Sequence, residues 1–162
     1  MTTIRPATPA DRDALLALLP ELAAFPLPAW RTAAQIAGAD TRILLDALDR
    51  PDPGTLILVG DVGGTITGFI FTTTRADYFT GRPHAHIEVL VVGPAARGQG
   101  LARRLIEATE RWASDRGYAN ITLNVFATNE RAGGVYRQLG YEPETLHYIK
   151  PLDLAATRGE AR

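Results

Sequence analysis

The stretch from Ala85 to Trp112, AHIEVLVVGPAARGQGLARRLIEATERW, decides how this chain folds. Residues 87–92 form an apolar run broken only by Glu88 and read as a buried strand. Gly93 and Pro94 make a turn, and Arg97-Gly98-Gln99-Gly100 a glycine-bearing loop. Leu101, Leu105, Ala108 and Trp112 then recur at helical spacing, with Arg103, Arg104, Glu107 and Arg111 between them. A strand feeding such a loop into a helix leaves backbone N–H groups unpaired at one spot, beside the positive end of the helix. Such a spot suits an anion, most often a phosphate.

Two familiar phosphate signatures fail here. The dinucleotide fingerprint needs a third glycine where Arg103 stands, and the Walker loop needs Gly-Lys-Ser/Thr, whereas the single lysine is Lys150. Arg97-Gly98-Gln99-Gly100-Leu101-Ala102 instead matches the Q/R-x-x-G-x-G/A signature and resembles the GCN5-related N-acetyltransferases, the GNAT superfamily. Ile-Glu-x-Leu-x-Val at residues 87–92, Asn129 with Tyr136 seven positions on, and Leu139-Gly140-Tyr141 follow the same pattern in order. This resemblance covers about half the chain. Its first half matches only in the order of strand, two helices and two strands. The resemblance implies an α/β (α+β) single domain: a mixed, splayed sheet of roughly six to seven strands with about four helices. It also implies acetyl-CoA in a cleft between two parallel strands, its diphosphate on the backbone of Arg97, Gly98, Gln99, Gly100, Leu101, Ala102 and Arg103.

Working outward, residues 3–8 can form a first strand. Pro9 and Asp11-Arg12-Asp13 open an apolar helix running to about Ala24. A second helical stretch spans about residues 29–49, with Gly38 expected to split it. Residues 55–59 and 65–73 are rich in β-branched side chains and are joined by Asp61-Val-Gly-Gly64, a hairpin by its turn chemistry. Residues 75–83 read as a loop carrying Tyr78 and Phe79. Gly117 should end the long helix, and residues 121–126 alternate as a strand. Asn129 should cap a short helix that stops at Gly140, and residues 141–152 read as two last strands. The domain is expected over residues 1–152, with a polar tail at 153–162. The crossover from the central strand through the long helix to strand 121–126 is right-handed by the usual rule, and ligands bind beyond the carboxyl ends of such strands.

The whole chain sets limits. Its 162 residues suit one domain, and 46% hydrophobic with 22% charged residues is ordinary for a folded soluble protein. A net charge of −1 gives no electrostatic case for nucleic acid or an anionic membrane. The chain has no cysteine, which excludes disulfides and thiolate catalysis. No apolar run reaches membrane-span length and the first residues lack a signal peptide's apolar core, so a cytoplasmic protein is expected. Sixteen arginines to one lysine look like composition bias rather than chemistry.

The resemblance assigns candidate roles. The backbone of Leu90, Val91 and Val92 would pair with the pantetheine arm beside a β-bulge, and the N–H of Val91 is the first choice to stabilise a developing oxyanion. Those side chains are at the same time ordinary core residues. Tyr136 would donate to the leaving thiolate, or else be a half-buried core tyrosine. Asn129 would touch the pantetheine, or act only as an N-cap. Glu88 matches a glutamate of the polyamine acetyltransferases, while His86 sits where histone-type members carry theirs and has the better intrinsic pKa. Either could accept the proton of an incoming ammonium, or be a solvated strand residue. Asn124 stands where some members place another glutamate. Gly133-Gly134 costs the short helix about 1 kcal/mol per residue against alanine and puts the placement of Tyr136 at issue.

The expected reaction is acetyl transfer from acetyl-CoA to a primary amine, a small molecule rather than a protein, without metal or covalent enzyme intermediate. The alternative is an acyl-CoA binding or sensing module that keeps Tyr136, Glu88 and His86 as structural residues; a nucleic-acid module ranks third. Members of the family often pair as homodimers, which makes pairing an expectation too.

Overall fold

The computed structural model describes residues 1–152; the expected polar tail at 153–162 lies outside the described residues. One five-stranded sheet runs in the order β1 (Thr3–Pro6), β2 (Thr55–Val62), β3 (Thr65–Ala76), β4 (Pro83–Val92), β5 (Ile121–Leu123). Its first four strands are antiparallel, and β5 joins β4 in parallel through the crossover helix α3 (Leu101–Asp115). α1 (Arg12–Leu18) and α2 (Ala33–Asp49) cover the opposite face, and α4 (Glu130–Gln138) follows β5. None of the helices in the described residues is long and apolar enough to cross a membrane.

Period-two alternation along the strands divides the core. On one side Val59, Phe69, Phe71, Val89 and Val91 pack with Leu15, Leu19 and Leu44 from the α1/α2 layer. On the other, Leu58, Ile70 and Ile87 meet Leu101, Leu105 and Ile106 of α3. Of the stripe read from the sequence, Leu101 and Leu105 are buried while Ala108 and Trp112 are only partly covered, and Ile106, Thr109 and Ala113 complete the buried face. Gly117, at φ +71°, ends α3, with Tyr118 N donating to Ala113 O.

Several element boundaries differ from the sequence reading, each for a local reason. The first helix stops at Leu18 and continues as a 3-10 turn (Leu19–Ala23), because Pro20 has no N–H to give an α-helical ladder. α2 starts at Ala33 behind a capping box formed by Thr32 and Gln35, and Gly38 does not split it. The hairpin turn is only two residues, Gly63 and Gly64, both at positive φ, so β2 extends to Val62. At its other end β3 runs on to Ala76, into the expected loop, because Arg75 and Ala76 pair with His84 and Pro83 of β4. β5 stops at Leu123 instead of Phe126, having partners only at Ala85, His86 and Ile87. Residues 141–152 form no strand; Pro143 and Pro151 interrupt their donor series, and Leu146, Tyr148 and Leu152 are exposed. The sheet accordingly has five strands, fewer than the six to seven expected.

The buried Asp11 ties β1 to the start of α1. It accepts from Arg5 Nη1 at 2.8 Å and Nη2 at 2.9 Å and from Thr8 N at 2.7 Å, while Arg5 Nε reaches Asp61 at 2.9 Å. The Arg5 guanidinium holds the Asp11 carboxyl well below the usual carboxylate range, against burial and with help from Thr8. A depressed folded-state pKa contributes stability above the ordinary carboxylate pKa and loses it as pH falls. Asp11→Asn should lower stability at neutral pH and flatten its dependence below roughly pH 4, as read by denaturant titrations at several pH values.

Candidate active site

The site begins where β4 and β5 part. Ala85, His86 and Ile87 pair with Ile121, Thr122 and Leu123, and no pairing follows. At the same point the β3–β4 register slips: Phe71 faces Val89 but Thr72 faces Ile87, leaving Glu88 as the extra residue of a bulge. The bulge changes which backbone groups face which neighbour. Ala85 N donates toward β5, to Asn120 O at 3.2 Å, whereas Gly93 N donates toward β3, to Thr67 O at 2.8 Å. Alternation back from Gly93 turns Val91 and Val89 to β3 as well, so Leu90 and Val92 turn their N–H and C=O into the gap. Arg97 Nε donates to Val92 O at 3.3 Å, in keeping with that orientation. The N–H of Val91, first choice from the sequence, thus belongs to the sheet ladder, and Leu90 and Val92 supply the free backbone groups.

Beside the gap lies the glycine loop. Gly98 and Gly100 sit at φ +74° and +75°, and a Cβ on either would meet nothing within 4 Å, so conformation rather than crowding requires glycine. Backbone N–H groups of Gly98, Gln99, Gly100, Leu101, Ala102 and Arg103 have no backbone partner among the described residues, the last three being the first turn of α3. Six free donors at a helix N-terminus, facing open space at two glycines, fit a diphosphate. The side chains mostly serve the loop itself. Arg97 pairs with Glu21 at 2.5 Å, Gln99 Nε2 donates to Ala95 O at 2.8 Å, and Arg103 is exposed near Glu107.

Leu101 anchors this loop to the sheet. Gly60 and Gly68 pair directly across β2 and β3, and a Cβ on Gly60 would lie 2.7 Å from Leu101 Cδ1. On Gly68 it would lie 3.0 Å from Leu101 Cδ2 and 2.7 Å from Val91 O. Two absent side chains therefore admit the first residue of α3.

On the α1/α2 face, the polar groups gather around the bulge. Thr73 Oγ1 donates to Glu88 Oε1 at 2.6 Å, and Arg75 Nη2 holds both carboxylate oxygens at 2.7 Å. His86 lies opposite Thr73 and is buried; its Nδ1 meets Thr122 Oγ1 on β5 at 2.7 Å. Its Nε2 has no partner among the described residues yet is not sealed from solvent, unlike Nδ1 of His84. Burial, with Arg75 adding, lowers the pKa of His86 and keeps the ring neutral at pH 7. Asp40 on α2 lies near enough to Glu88 to feel its charge; burial chiefly, then Glu88, raises its pKa.

Tyr136 approaches from the other side. It packs with Leu139 and Tyr141 on the α3 cluster, its ring 5.8 Å from that of Tyr141. Its hydroxyl makes no hydrogen bond among the described residues and is not sealed from solvent; burial pushes its pKa up to about 12. α4 forms despite Gly133 and Gly134, with Asn129 Oδ1 accepting from Ala132 N at 3.2 Å as its cap. The candidate acid and base thus stand on opposite faces of the sheet, separated by the gap between β4 and β5. Arg75, Thr73, Thr122 and Asp40 were not singled out from the sequence. Thr73 and Arg75 do alternate at the end of β3, but only the cross-strand register reveals their partners.

Residues 16–141 match the family model described as Acetyltransferase (GNAT) family. A mycothiol acetyltransferase of Propionibacterium freudenreichii is 34% identical over 95 residues, 59% of this chain and 30% of that protein. The chain therefore spans less than a third of that relative's length. A putative acetyl transferase from Pyrococcus furiosus has the same fold at TM-score 0.77 and 21% identity, over 94% of this chain and 100% of that one. The aminoglycoside acetyltransferase AAC(6')-Iy, solved with the bisubstrate analogue CoA-S-monomethyl-acetylneamine, superposes at TM-score 0.67 with 23% identity, over 94% and 99%.

Steric and conformational demands on glycine predict different losses. Gly68→Ala should lose about 1–3 kcal/mol by pushing Leu101 and the Val91 carbonyl, against about 1 kcal/mol for Gly100→Ala, which is strained but unobstructed; chemical denaturation of the two variants measures the difference.

Proposed function

Because the chain belongs to the GNAT acetyltransferase family, we propose that it moves the acetyl group of acetyl-CoA to a primary amine on a small molecule by direct attack. The observation that carries this reading is the coincidence of six unpaired amides, residues 98–103, with a strand gap lined by the free backbone of Leu90 and Val92. The amides of Gly98 to Arg103 would hold the diphosphate, and Leu90 and Val92 the pantetheine arm, with Asn129 beside it. Acetyl-CoA supplies an activated thioester. The N–H of Leu90 or Val92 is then the donor available where negative charge develops on the carbonyl oxygen.

The side chains divide the proton work. Glu88 and Asp40 present negative charge to an ammonium, while Arg75 and Thr73 already occupy the oxygens of Glu88. His86, neutral and with Nε2 free, is the better acceptor for the amine proton. The C–N bond forms as the C–S bond breaks, and Tyr136 donates a hydrogen bond to the departing sulfur. With its pKa near 12 against roughly 8.5 for a thiol, complete transfer of the phenol proton runs uphill, so stabilisation by hydrogen bonding suffices and the thiolate is protonated from solvent. Holding both reactants in one cleft contributes much of the rate.

Release of free thiol across a panel of small amines tests the reading. Turnover should appear with at least one acceptor, and Tyr136→Phe should lower kcat about 10- to 100-fold. Tight acetyl-CoA binding without turnover on any amine would instead establish a binding module. His86 accepts a proton only above its pKa, so kcat/KM should fall with acidification at a midpoint below the ordinary histidine value of about 6.5, and His86→Gln should abolish that limb.

A further inference from the structure

Thr122 has no role in the reading above, yet it is the only side chain hydrogen-bonded to His86 among the described residues. It sits on β5 one pair before the gap, directly across from His86. Its hydroxyl has one proton. The Ala85 carbonyl lies 3.5 Å from Thr122 Oγ1, a weak contact longer than the usual O–H···O range, and the His86 ring nitrogen lies at 2.7 Å. With the hydroxyl proton directed at Ala85 O, the oxygen accepts from Nδ1–H, and the short bond and the longer one are both used. The opposite arrangement spends the hydroxyl proton on Nδ1, forgoes the contact with Ala85 O and places hydrogen on the solvent-reached Nε2.

We propose that Thr122 is a positioning residue that fixes His86 as the Nδ1–H tautomer, so that the unprotonated Nε2 is left to take a proton from the amine. This rests on His86 being the base. Which nitrogen of a neutral histidine is left to accept is set by the hydrogen bond that the other one makes. Serine proteases use a carboxylate for that purpose; here a neutral hydroxyl does it and adds no negative charge. The other groups facing His86 are Glu88 and His84 on β4, Arg75 and Thr73 on β3, and Asp40 near Glu88 from α2. Arg75 already binds Glu88 and none of these groups bonds Nδ1, so Thr122 alone sets the tautomer. Because the contact spans β4 and β5, it also fixes the ring at the mouth of the gap.

Nitrogen-15 NMR of the imidazole, in the free protein at neutral pH, reads the tautomer directly. The expected result is Nδ1–H for His86 in the wild type and a mixture, or Nε2–H, in Thr122→Val, with Thr122→Ser restoring the wild-type spectrum. With an accepted amine, Thr122→Val should lower kcat by about tenfold with little change in KM for acetyl-CoA, and Thr122→Ser should recover most of it. Wild-type protein showing Nε2–H, or Thr122→Val keeping the Nδ1–H spectrum, overturns the proposal. Failure of the underlying reading looks different. His86→Gln would then turn over like wild type, whatever the tautomer.

Discussion

Everything at the site depends on how closely the first residue of α3 approaches the sheet. Leu101 lies over Gly60 and Gly68, which face each other across β2 and β3, and any side chain at either would strike it. The close approach seals the α3 cluster, where Leu101, Leu105 and Ile106 meet Leu58, Ile70 and Ile87. It also decides where the unpaired amides of the preceding loop stand, because a helix start moves as a unit with its first packed residue. A packing interaction thus locates a row of unpaired backbone amides.

The second determinant is the extra residue in β4. Before Glu88 the odd-numbered residues bond toward β5; beyond it the even-numbered ones face that side. Since β5 ends at Leu123, those even residues find no partner in the sheet. The end of β5 therefore leaves that backbone free, and the bulge brings Glu88 beside Thr73 and Arg75. Separation of functions by sheet face follows: histidine and carboxylates on the side of α1 and α2, phenol and helix amides on the side of α3.

Much of this was readable in the residues, and the exceptions have causes. The strand, loop and helix of residues 85–112 were legible because burial, turn glycines and helical spacing agree there. Gly63-Gly64 and Asn129 were legible for the same reason, each combining a local conformation with a side chain suited to it. What failed to read depended on pairing. The choice of Val91 over its neighbours needed the position of the bulge, which a period-two pattern does not reveal. Thr122 was invisible because a threonine in a strand is unremarkable until its cross-strand neighbour is a histidine. The run from residue 141 to 152 has strand-like side chains, but prolines at 143 and 151 and the absence of a ladder leave it extended and solvent-facing.

The bulge adds a side chain to β4 without altering the pairing on either side of it. Removing Glu88 would set Ile87 against Thr72 and Val89 against Phe71 in an unbroken ladder, and Leu90 and Val92 would keep their places at the gap. What would go is the carboxylate beside Thr73 and Arg75. The charge on that face can therefore be edited by one residue of length while the backbone facing the gap stays as it is.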